Sequence, residues 1–161
     1  MRKWLSLVLS LTLTAGLFGA EYPKLGEDIY DPQADANVLI SEALSVAKLD
    51  HKHVLLMFGA NWCIWCHRLH ATLEGNPEVA AALAEDFVLV MVDVNTRHGP
   101  KRNADVNERY GNPIQHGLPV LVVLDATGKQ LTTQETGSLE EGDGHSPAKV
   151  LAFLREWAPS R

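Results

Sequence analysis

Cysteine is nearly absent from this chain: of 161 residues, only Cys63 and Cys66 carry a thiol. One intramolecular bridge is the most that can form, and it would close a loop across two intervening residues. So small a loop removes little unfolded-chain entropy, which argues against a structural staple. A basic excess is lacking too. Against 20 Asp and Glu stand 14 Lys and Arg, a formal charge of −6, and no basic stripe offers a nucleic-acid face. Long apolar runs are missing: the N-terminal one falls short of the ~20 residues that a membrane-spanning helix needs. Repeats and disorder-prone tracts are absent, and 46% hydrophobic content is ordinary for one globular core.

What is present begins with an N-terminal segment of distinct character. Arg2 and Lys3 form a basic start, Leu5 to Leu13 an apolar run broken by Ser and Thr, and Leu17 to Ala20 a cleavage zone. Residues 1–20 therefore read as a secretory signal peptide, with a membrane anchor as the competing reading. No cysteine follows the run, so a lipoprotein anchor is not expected. Cleavage would remove two of the 14 basic residues and none of the 20 acidic ones, moving the formal charge from −6 to −8. The expected location is the periplasm or the cell exterior, and the expected state a monomer. Residues 21–34, with Pro23, Gly26 and Pro32, read as an extended arm.

From Asp35 the pattern becomes regular. Val38, Leu39, Ala43, Val46 and Ala47 recur at helical spacing up to Asp50. His53 to Phe58 and Phe87 to Val94 are continuous apolar strands. Between them, Cys63 to Leu73 reads as one helix, and Asn76-Pro77 opens another carrying Val79, Ala80, Leu83 and Ala84. Asn95 to Asn103 is a polar loop and Ala104 to Tyr110 a short helix. Val120 to Asp125 is the third strand, and Asp125 to Lys129 a hairpin turn into a fourth, Gln130 to Gln134. Gly137 to His145, glycine-rich and acidic, reads as a mobile loop. Ser146 caps a last helix with Pro147 at its first position and Val150, Leu151, Phe153, Leu154 and Trp157 on its apolar face. Helices alternating with buried strands make the class α/β, with a mixed four- to five-stranded sheet covered on both faces.

The cysteines sit where the first strand gives way to the second helix. At a helix start, unpaired N–H groups and the positive end of the dipole favour a thiolate over a thiol. Cys63 is thus the candidate nucleophile. Cys66 lies on the same face one turn deeper, placed to resolve a mixed disulfide. Trp62 and Trp65 flank the thiol as an apolar platform for an extended polypeptide, a core role being the alternative.

Phe58-Gly59-Ala60-Asn61-Trp62-Cys63-Ile64-Trp65-Cys66 resembles the strand-turn-Trp-Cys-x-x-Cys element of the thioredoxin family. Gly117-Leu118-Pro119 followed by Val120 to Asp125 and the Gly128 turn resembles its second hallmark. Both occur in the family's order, across roughly Asp35 to Trp157, so that 35–158 would be one thioredoxin-like domain. Asn76-Pro77-Glu78-Val79 is similar to a stretch in the C-terminal domain of the transmembrane disulfide reductase. The resemblance implies a cis peptide before Pro119, facing the cysteines, with the Leu118 backbone pairing to substrate by strand addition. It implies thiol-disulfide exchange with cysteine-containing proteins, substrate contacts at Trp62, Ile64, Trp65, Leu118 and Pro119, a membrane or periplasmic redox partner, and no organic cofactor.

Two departures from the family matter. Met57 stands where thioredoxin carries a buried aspartate, so proton transfer from Cys66 must use another group or water. Ile64 and Trp65 put no imidazole between the sulfurs, which points to a milder, reducing or intermediate couple. His67, four residues after Cys63, is a candidate for tuning the thiolate.

Three rival readings share these residues. Cys63-Ile64-Trp65-Cys66-His67 matches the C-x-x-C-H attachment signature of c-type haem, although Met57 and Met91, the potential axial ligands, fall inside strands. Cys63, Cys66, His67 and His70 are zinc-type ligands, but on one helix Cys66 and His67 point about 100° apart, so no metal site is expected. A thioredoxin-like module that binds partners without catalysis is the third.

Overall fold

The computed structural model describes residues 25–160; the signal-peptide reading of residues 1–20 lies outside them. Seven-residue β1 (His53–Gly59) is the centre of the sheet. It pairs in parallel with β2 (Phe87–Asp93) and antiparallel with β3 (Val120–Leu124), which in turn pairs antiparallel with β4 (Gln130–Glu135). The order is β2-β1-β3-β4, a mixed sheet of four strands. The parallel β1-β2 pair requires a crossover, supplied by α2 (Ile64–Gly75) and α3 (Pro77–Asp86).

Strand alternation sends successive side chains to opposite faces, and each face has its own core. Leu55, Met57, Leu121 and Val123 pack under α2, α3 and α5 (Pro147–Glu156). Val54, Leu56, Phe58, Val120, Val122 and Leu124 pack under α1 (Ala36–Asp50) and α4 (Ala104–Arg109). Both sides of β1 are covered, which is why its sequence is apolar throughout rather than alternating.

Local signals set the helix ends. Asp35 caps α1 by accepting from Asn37 N, and His51 closes it in the left-handed region at φ 55°. The Asn76 side chain accepts from both Glu78 N and Val79 N, with Pro77 at the first turn of α3. Ser146 stands at the start of α5, but its side chain makes no capping bond; Pro147 supplies the preset φ there.

Two expectations are corrected. Residues 137–145 are not a loose loop: a 3-10 turn (Gly137–Leu139) leads into a small hairpin, β5 (Glu140–Glu141) and β6 (Gly144–His145), which packs on α2. Leu139 and His145 are buried and hold it down. The arm is not simply extended either: in its described part, from residue 25, the backbone bends before Tyr30 and turns at Pro32, and Tyr30, only 1% exposed, belongs to the core beneath α2. Among the described residues no helix is long and apolar enough to cross a membrane.

Candidate active site

Register brings the site together. The end of β1 and the beginning of β3 are antiparallel neighbours, with Phe58 opposite Val120. The turn after β1 therefore meets the segment before β3, although 55 residues separate Cys63 from Leu118. Cys63 is the N-cap of α2, at φ −89° and ψ 105°, and its sulfur accepts from Cys66 N at 3.2 Å. The helix start thus directs a backbone N–H at Cys63 Sγ, where it stabilises negative charge. Cys63 and Cys66 are joined as a disulfide, with Cα atoms 5.2 Å apart. Cys63 Sγ lies 3.7 Å from the Leu118 carbonyl oxygen, and the Leu118–Pro119 peptide is cis. Thr136 Oγ1 donates to the Pro119 carbonyl at 2.7 Å in a buried hydrogen bond, fixing that segment from the far side.

A cavity of about 330 Å³ opens over Cys63, lined by Trp62, Ile64, Trp65, Arg97 and Leu118 among others. Ile64 is 44% exposed at its rim. Both tryptophans carry an arginine: the Arg97 guanidinium sits 4.5 Å from the Trp62 ring centre, and Arg68 is 4.5 Å from that of Trp65. Each is a cation-π stack that holds the indole flat while placing positive charge beside the groove. His98 and His145 meet the same two rings edge-on. The sequence reading found the tryptophans but not these partners: Arg97, His98 and His145 come from distant segments, and Arg68 lies one turn after Trp65 on α2. Pro119, which the sequence places at the site, borders Leu118 there.

His67 is turned elsewhere. Its Nε2 donates to the Asn61 carbonyl at 2.8 Å, tying α2 back to the turn that precedes it. His70 pairs with Glu74 at 3.2 Å on the outer part of α2. Among the described residues no group of three or more His, Cys, Asp or Glu is placed to hold a metal ion.

Beneath the disulfide, Asn61 does what the sequence did not disclose. Its Oδ1 accepts from Ile29 N at 3.0 Å and Tyr30 N at 2.8 Å, while its Nδ2 donates to Tyr30 O at 2.9 Å. The side chain closes a strand-like clamp on the arm and carries Tyr30 under Cys66. Met57, Leu69 and Tyr30 share the apolar cluster that encloses the deeper sulfur. Behind them Asp93 faces Arg102 at 2.6 Å; burial raises the carboxyl's pKa, and the guanidinium opposes that rise.

A family model described as a thioredoxin-like domain matches residues 40–143. The disulfide bond reductase DsbH of Chlamydia pneumoniae is 32% identical over 167 residues, covering 96% of this chain and 99% of its own. The thiol:disulfide interchange protein DsbD of Klebsiella pneumoniae is 28% identical across 97% of this chain, which spans 26% of that longer protein. The crystal structure of a disulphide isomerase from Xylella fastidiosa superposes with a TM-score of 0.70 at 36% identity, over 80% of this chain and 95% of the other. The oxidised C-terminal domain of Neisseria meningitidis DsbD, at 24% identity and a TM-score of 0.54 over 76% of this chain and 96% of its own, shares the fold.

Proposed function

The chain belongs to the thioredoxin-like family and is a thiol-disulfide oxidoreductase; from that premise we propose that it is exported and exchanges disulfides with protein substrates on the reducing or intermediate side. The observation that carries this reading is the Cys63–Cys66 disulfide, with Cys63 at the start of α2 and facing the Leu118 carbonyl across an open groove.

The steps follow from the placement. In the reduced protein, Cys63 attacks one sulfur of a substrate disulfide; that S–S bond breaks, and the other substrate sulfur departs as a thiolate that takes a proton from water. Cys66 then loses its proton and attacks Cys63 Sγ, which breaks the mixed disulfide and releases the second substrate thiol. Two electrons have passed to the substrate, and the Cys63–Cys66 bond remains. Reversal oxidises a dithiol, so direction follows the difference in potential. A membrane or periplasmic redox partner restores the dithiol. Substrate lies along Trp62, Ile64 and Trp65, with its backbone against Leu118 and Pro119. An anchored indole pair gives broad apolar contact without demanding one sequence.

Replacing Cys66 with Ala tests this directly. The variant is expected to accumulate a covalent substrate adduct on Cys63, visible by mass spectrometry and released by dithiothreitol. Cys63→Ser is expected to abolish insulin reduction while leaving the melting temperature of the reduced protein nearly unchanged. No adduct on Cys66→Ala, together with no insulin reduction by the wild type, would overturn the reading.

A further inference from the structure

Thioredoxin uses a buried aspartate beneath its second cysteine, and Met57 occupies that position here. Cys66 is completely buried among apolar neighbours, so its sulfur needs some polar partner when it ionises to attack the mixed disulfide. One polar group lies close to it. The Tyr30 ring is 1% exposed, and its hydroxyl finds no hydrogen-bond partner in the disulfide form among the described residues. A Cβ added to Gly59 would stand 2.6 Å from Cys66 Sγ and closer still to Tyr30 Oη, so both atoms crowd one point over the Gly59 backbone. The three hydrogen bonds of Asn61 to Ile29 and Tyr30 hold the phenol there.

We propose that the Tyr30 hydroxyl is the hydrogen-bond partner of Cys66 in the reduced protein, donating to its thiolate when Cys66 resolves the mixed disulfide. An orphaned buried hydroxyl is costly, and reduction relieves that cost by giving it an acceptor. The dithiol state is thereby favoured over the disulfide. Burial holds the phenol's pKa well above its ordinary 10.0, and the Asp93 carboxylate pushes it the same way, so the O–H keeps its proton throughout. The Cys66 proton passes to water; the thiolate attacks Cys63 Sγ; the Cys63–Cys66 bond forms as the bond from Cys63 to substrate breaks; the departing thiolate takes up a proton from water. Tyr30 is neither oxidised nor consumed.

This inference rests on the thiol-disulfide reading, and its test separates the two. Tyr30→Phe removes the hydroxyl and keeps the ring. Equilibrated against glutathione, the variant is expected to shift about tenfold toward the disulfide, which is about 30 mV more negative than the wild type. In a Cys63→Ser background, Tyr30→Phe is expected to raise the pH at which Cys66 ionises, read from its 13Cβ resonance. A purely structural role would move the melting temperature but neither of these. Should Tyr30→Phe fail to fold, the wild-type 13Cζ resonance of Tyr30 is expected to move on reduction. An equilibrium constant within twofold of the wild type, or an unmoved 13Cζ resonance, would overturn the assignment. If instead the wild type reduces no protein disulfide, the functional reading fails, and the glutathione equilibrium still decides whether Tyr30 contacts Cys66.

Discussion

Of the described glycines, Gly59 leaves the least room for a side chain, where the β1 backbone passes beneath Cys66 and Tyr30. No neighbour can yield cheaply: the sulfur is bonded to Cys63, and the tyrosine is clamped by Asn61. Gly59→Ala is therefore expected to cost about 2–3 kcal/mol through overpacking, measured as a lower urea midpoint at unchanged slope; a loss below about 0.5 kcal/mol would show that the space is not filled as described. Legibility at this scale followed sequence distance. The cysteines, Trp62 and Trp65 were legible because their chemistry lies within one turn. Tyr30 and Asn61 were not, since their contact spans 31 residues and the only hint was an aromatic side chain inside a polar stretch. Arg97, which stacks on Trp62, escaped because an exposed arginine in a polar loop looks like any solvated charge; Arg68 stands one helical turn after Trp65 and is the exception, a partner close in sequence that went unread.

Elements were read well where apolar periodicity carried them and poorly where a few anchors did. The β strands and helices from Asp35 to Asp93 fall within a few residues of their expected bounds, because continuous burial on both sheet faces leaves a continuous apolar signal. The segment 137–145 has glycines and acids in most positions, and its only buried side chains among the described residues are Leu139 and His145, too few for a pattern; backbone bonds to Thr72, Ser146 and Lys149 supply the rest of its order. That small hairpin carries a titratable anchor. His145 is 5% exposed, neither ring nitrogen has a hydrogen-bond partner among the described residues, and its ring meets Trp65 edge-on at 5.7 Å. Desolvation first, and the nearby Arg68 charge second, hold its pKa below the ordinary 6.5. The folded protein thus resists a proton that the unfolded chain accepts. Stability is full above about pH 6.5 and falls as the pH drops below it. Urea midpoints at pH 7.5 and 5.0 are expected to show this loss in the wild type and a smaller one in His145→Phe. Equal losses in both would place the sensitivity elsewhere.

At the scale of the whole molecule, a single topological fact makes the site: β3 returns antiparallel beside β1, so the strand that ends at the cysteines lies next to the strand that begins at Pro119. Composition and periodicity point to an α/β sheet of mixed sense; the order of its strands was not legible, since alternation says which face a residue occupies and not which strand is its neighbour. The two cores then make β1 and β3 the most buried part of the fold, and a rigid base for a helix start that must hold one sulfur outward and one inward. That asymmetry is the central claim. It is tested most directly by timing iodoacetamide alkylation of the reduced wild-type protein at pH 7, with each site resolved by mass spectrometry. Cys63 is expected to react first and about tenfold faster than free cysteine. Alkylation of Cys66 before Cys63, or a Cys63 rate no greater than that of free cysteine, would contradict it.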